Sequence, residues 1–104
     1  MVGRGDIYWF DLPEEGHRPV LVLTRSEAIP VLRRVLVAPL TRTIRGIPSE
    51  VRLGKEDGMP DECVISLDNV RPVSRVLLKE QITTLTGKRM SEVCRALAIA
   101  TGCG

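Results

Sequence analysis

At 104 residues the chain has material for one domain, residues 1–104, with one core and not two. Tyr8, Trp9 and Phe10 are its only aromatics, which leaves no run of platforms on which successive bases could stack. A net charge of +2 names no partner by itself, but arginine supplies most of the basic side chains, and its planar fork grips phosphate by paired hydrogen bonds where lysine acts as a point charge.

The first predicted strand is Gly5 to Asp11, carrying the bulky β-formers and bounded by glycine and by Pro13. The short loop Pro13-Glu14-Glu15-Gly16 predicts a hairpin with a second strand over 18–25. Val20-Leu21-Val22-Leu23 in that strand is a continuous apolar run, the mark of a strand buried on both faces. At its entry stand His17, the one histidine, and Arg18, with Pro19 fixing the backbone behind them. A third strand, Arg33 to Leu40, carries Pro39 near its end, which predicts an edge or a bulge. Thr41 to Pro48 is a polar, arginine-bearing loop broken by Gly46 and Pro48, the kind of segment on which binding groups are carried.

Ser49 to Leu53 alternates as a half-exposed strand, Gly54 to Pro60 turns, and Cys63 to Leu67 is the next strand. Val70 to Val73 is a proline-bearing edge segment and Ile82 to Leu85 a last short strand. Met90, Val93, Cys94, Leu97 and Ala98 recur at helical spacing, with Thr86 as N-cap and Gly102 as C-terminal stop. That stripe is expected to pack on the sheet, with Cys94 a small core side chain. Short strands, brief connections and one closing helix predict a mainly β fold, a small bent antiparallel sheet or barrel.

Charge is unevenly spread: residues 17–52 carry seven arginines against two glutamates, and residues 53–70 one lysine against five acids. A basic face beside an acidic belt is expected. Cys63, Cys94 and Cys103 show no paired spacing, so neither a disulfide framework nor a metal knuckle is expected, and no cofactor. No secretion leader precedes the first strand and no apolar run approaches membrane-spanning length. The expectation is a cytoplasmic protein with no membrane partner.

Several blocks in order, Arg4 to Trp9, Arg18 to Leu23, Ala38 to Thr41, Ile47 to Val51, Cys63 to Arg71 and the closing helix Met90 to Gly102, resemble the MazF/PemK family of toxin endoribonucleases along nearly the whole chain. The resemblance implies an SH3-like small barrel of the MazF/PemK/CcdB type with a C-terminal helix. It implies a homodimer that cuts single-stranded RNA at short sequence motifs without a metal, and a cognate antitoxin whose disordered acidic segment occupies the RNA groove. It also implies that Arg18 and Thr41 are the catalytic pair. The loop before Arg18 is shorter than in many relatives, leaving Glu14 and Glu15 as its acids.

Metal-free RNA cleavage needs a group to take the 2′-OH proton, another to protonate the departing 5′ oxygen, and positive charge against the phosphorus. A guanidinium suits the last role and is awkward as a base; a threonine hydroxyl can position a phosphate but not deprotonate at neutral pH. Histidine suits proton transfer best, so His17 is a third catalytic candidate. Arg25, Arg42, Arg45 and Arg71 are candidate phosphate contacts, and Ser66 and Asn69 candidate base contacts, with the loops 13–17 and 41–48 placed to read sequence. Two other readings stand beside this one. A CcdB-like toxin that binds DNA gyrase would end in Trp-Gly-Ile, where this chain ends Thr101-Gly102-Cys103-Gly104. A non-catalytic SH3-like peptide module would need an aromatic-lined groove.

Overall fold

The computed structural model describes residues 1–103, in the order β1 (Asp6–Leu12), β2 (Gly16–Val22), β3 (Arg34–Thr41), β4 (Glu50–Leu53), β5 (Cys63–Ser66), β6 (Arg71–Ser74), β7 (Glu80–Thr84) and α1 (Gly87–Thr101). Single 3-10 turns at Ile29–Val31, Lys55–Asp57, Leu67–Asn69 and Arg75–Leu77 link them. The described pairings are antiparallel, in the order β4-β5-β3-β2-β1-β7, with β6 also on β3. The mainly β, barrel-like architecture with one closing helix is as expected.

The three middle strands send alternate side chains to opposite faces. Ile7, Leu21, Leu23, Ala38 and Leu40 enter one apolar cluster, while Tyr8, Phe10, Val20, Val22, Val35 and Val37 enter another. Both faces are therefore covered, which is why residues 20–23 read as an unbroken apolar run. The first cluster is closed by β4, β5 and α1, the second by Val73 of β6, Ile29 of the 29–31 turn and Leu78.

Three expectations are corrected. β2 begins at Gly16, so His17 and Arg18 lie inside the strand, opposite Asp11 and Phe10, and not at its entry. Pro39 is on the most shared strand of the sheet and not on an edge: residues 34–37 pair with β6 and residues 40–41 with β5, and the proline falls at the changeover, where one missing N–H breaks no ladder on that side. In α1, Thr86 and Gly102 are the caps as expected, Thr86 accepting from the Arg89 N–H and Gly102 taking the left-handed conformation at φ 73°. The inward stripe, however, is Met90, Val93, Ala96, Leu97 and Ala100. Cys94 is exposed, with its Sγ 3.1 Å from Arg4 Nη2. The curved sheet meets a helix face rotated by about one position from the one that hydropathy alone selects.

One polar knot ties the 55–57 turn to both β7 and α1. The Asp57 carboxylate accepts from Arg89 Nε at 2.8 Å and Nη2 at 3.2 Å and from the Gly54 N–H at 3.0 Å, while Thr83 Oγ1 donates to the Asp57 carbonyl at 3.2 Å. The paired bonds from Arg89 hold the Asp57 carboxyl below its ordinary value of 3.8, against a smaller upward push from burial. Next to it Gly58, at φ +91°, has Thr83 Oγ1 2.4 Å from where a Cβ would stand, so both backbone shape and space require glycine.

A carboxyl whose pKa falls on folding contributes stability above its unfolded pKa and loses it as pH drops through the folded one. Asp57→Asn is therefore expected to lower unfolding free energy at pH 7 by about 1–3 kcal/mol. Urea melts should show the gap between variant and wild type narrowing steadily below pH 4; a gap of constant size down to pH 2 would contradict the assignment.

Candidate RNA-cleavage site

β2 and β3 pair from Val22↔Val37 to Val20↔Pro39, and no pairing between them follows beyond that point. Continuing the same register by two residues sets Arg18 opposite Thr41. These two side chains line one open cleft at the end of the ladder, together with Glu15, Thr43, Arg45, Ser66 and Asn69.

Each group is held by neighbours. Arg18 Nε donates to the Glu15 carbonyl at 3.1 Å, which fixes the plane of the guanidinium; among the described residues its Nη groups have no partner. Thr41 Oγ1 accepts from the Thr43 N–H at 3.1 Å, so its own proton is directed elsewhere. Asn69 Nδ2 donates to Ser66 Oγ at 2.7 Å. The Arg45 and Gly46 N–H groups both donate to Glu50 Oε1, at 3.1 and 3.0 Å, which pins the 41–48 loop to β4.

Arg71 closes the cleft from the side. Its Nη1 is 2.6 Å from Glu15 Oε2 and its Nη2 donates to Glu15 Oε1 at 3.2 Å, while its Nε donates to the Asn69 carbonyl at 3.3 Å. Glu15 is thus the one carboxylate on the cleft wall, gripped by a bidentate arginine. Sequence reasoning named Glu15 only as a leftover of a shortened loop, because its partner lies 56 residues away; an acid directly before the Gly-His-Arg-Pro stretch that opens β2 is the signal that could have marked it.

Other expected residues lie elsewhere. Arg42 is on the opposite side of Thr41, where a second cleft contains Trp9, Pro19, Met59 and Pro60, and it faces Asp61 at 3.8 Å. His17 projects from the face of β2 opposite to Arg18. Its Nδ1 meets Asp11 Oδ1 at 2.6 Å and its ring stacks on Trp9 at 4.8 Å between centroids, 8° from parallel. Arg25 lies in the connection beyond the far end of β2, in a shallow depression with Arg4 and Arg34. The basic and acidic stretches meet where Arg42 faces Asp61 and Arg52 pairs with Glu62 at 2.6 Å, so the belt partly neutralises the face beside it. Among the described residues, no three His, Cys, Asp or Glu side chains cluster as a metal site requires, and no helix is long and apolar enough to cross a membrane.

Residues 3–101 match the family model described as the PemK-like, MazF-like toxin of type II toxin-antitoxin systems. The probable endoribonuclease MazF5 of Mycobacterium tuberculosis is 46% identical over 101 residues, covering 96% of this chain and 93% of that one. Among solved structures, the Mycobacterium tuberculosis toxin MazF-mt6 superposes with a TM-score of 0.87 at 32% identity, over 95% of this chain and 98% of that one. A mycobacterial endoribonuclease in complex with its cognate antitoxin superposes at 0.89 and 27% identity, over 100% of this chain and 98% of that one. The chain belongs to the PemK-like, MazF-like family of toxins.

Cys63, at the floor of the second cleft, is buried, and that burial, with Asp57, Asp61 and Glu62 nearby, pushes its thiol up to about 11. Cys94 and Cys103 are exposed. A disulfide reagent at pH 8 is expected to modify two thiols per native chain promptly and the third only after unfolding; three equally fast reactions would contradict the burial of Cys63.

Proposed function

We propose that this protein is the toxin of a toxin-antitoxin pair and an endoribonuclease that cuts single-stranded RNA at a short sequence motif, without a metal, by attack of the 2′-OH on the adjacent phosphorus. The supporting observation is that Arg18 and Thr41, separated in sequence, line the same cleft. The family relatives named as endoribonucleases, and one solved with its antitoxin, support the class and the partner. The protein acts as a homodimer in the cytoplasm, and a disordered acidic segment of the antitoxin neutralises it by occupying this arginine-bordered groove.

In the reaction the scissile phosphate lies between the Arg18 guanidinium and the Thr41 hydroxyl. Thr41 donates to one non-bridging oxygen, and the unpartnered Nη groups of Arg18 neutralise the charge that builds on phosphorus. Glu15, held by Arg71, takes the 2′-OH proton as the 2′ oxygen bonds to phosphorus. The bond to the 5′ oxygen breaks, and water at the open mouth protonates that oxygen. The products are a 2′,3′-cyclic phosphate and a 5′-OH. Arg45 and Arg71 border the path of the backbone, Ser66 and Asn69 offer hydrogen bonds to base edges, and His17 acts through Trp9 and not on the phosphate.

The test is digestion of a long RNA in excess EDTA with both ends of each fragment mapped. Discrete fragments with cyclic phosphate and 5′-OH termini are expected. Arg18→Ala and Glu15→Gln are each expected to slow cleavage by about 10²- to 10⁴-fold, and His17→Gln by far less. Intact RNA, or cleavage that depends on a divalent ion, would refute the proposal.

A further inference from the structure

We infer that the second cleft, on the other side of Thr41, is a slot for one base of the RNA, adjoining the cleaved linkage and walled by Trp9. The inference rests on the ribonuclease reading above and deepens it.

The two clefts share Leu40 and Thr41, so they are the two sides of the gap that opens where β2 and β3 stop pairing. A nucleotide whose phosphate rests against Thr41 and Arg18 has its base within one sugar of this second side. The slot walls suit a flat apolar ring: Trp9 and Pro19 from the first hairpin on one flank, Met59 and Pro60 from the turn before β5 on the other. Arg42 and Asp61 stand at the rim as a donor and an acceptor for a base edge, 3.8 Å apart and largely exposed, so neither is committed to the other.

Trp9 is prepared for stacking. One face of its indole is covered by the parallel ring of His17, which Asp11 meets through Nδ1, and the same indole lines the slot. This gives a role to the single histidine that its distance from the phosphate cleft otherwise leaves unexplained: it is a positioning residue for the indole. Half-exposed tryptophan backed by a second ring is a rigid platform, and base stacking on such a platform is tolerant of sequence while still costing affinity when lost.

Trp9 is the only tryptophan, so its emission reports the slot directly. The probe is a randomised single-stranded 2′-O-methyl RNA, which cannot undergo 2′ attack, compared with an abasic oligomer of the same backbone. Binding is followed in parallel by polarisation of dye-labelled probe and by Trp9 emission with unlabelled probe. The expected result is saturable quenching at the concentrations that raise polarisation, no quenching by the abasic oligomer, and binding about tenfold weaker for Trp9→Ala but within twofold for Trp9→Phe. Polarisation that rises while wild-type Trp9 emission stays constant overturns the base slot and leaves the ribonuclease reading intact. No rise in polarisation overturns both.

Discussion

The site depends on a single change of partners along β3. Over its first half this strand is zipped to β2 on one side and β6 on the other; past Pro39 the β2 ladder ends, while on the far side β5 takes over from β6. That handover bends the sheet, closes the first apolar cluster under β4 and β5, and leaves the start of β2 and the end of β3 facing each other with no ladder between them. Arg18 and Thr41 stand on the two banks of that gap. Their opposition is set by backbone register, which apolar alternation on both faces locks: a shift of one residue would turn Val20, Val22, Val35 and Val37 out of one core and Leu21, Ala38 and Leu40 out of the other.

Supporting polar contacts sit just outside the gap and each joins elements far apart in the chain. Glu15 and Arg71 couple the first hairpin to β6; Ser49 and Asp68 couple the approach to β4 with the turn that carries Asn69. Asp57 and Arg89 anchor the turn leading to Met59 and Pro60 onto α1. The helix covers the core and, through that anchor, fixes one flank of the second cleft. The cleft of Arg18 and Thr41 thus depends on the hairpin and β3, and the second cleft on the hairpin and the 55–61 turn.

Local signals in the sequence were sufficient for the elements and not for their meeting. The short Pro-Glu-Glu-Gly stretch after the aromatic strand could only be a hairpin loop; Thr86 and Gly102 marked the helix ends because a cap is chemistry within one turn. The stripe on α1 was misread because Ala96, Ala98 and Ala100 are alike in hydropathy and do not mark which of them faces the sheet, while Cys94 looks apolar by composition and is exposed. Pro39 suggested an edge because a proline reports only a missing donor, not whether two neighbours divide the strand between them. His17 and Arg18 are adjacent in sequence and so looked like partners, yet a strand sends neighbours to opposite faces, and the residue that joins Arg18 at the cleft wall is Glu15. Nothing local fixes which residue of β3 meets Arg18, nor that Arg71 reaches back across the chain.

Pro39 carries a consequence beyond tolerating its position. Any residue with an amide hydrogen there would bring a donor to the junction between β5 and β6, and the backbone could satisfy it by extending the zip toward one neighbour or the other. Proline removes that option permanently. It works as a stop on a fastener, keeping β5 and β6 as two separate partners along the edge of β3 that faces away from β2.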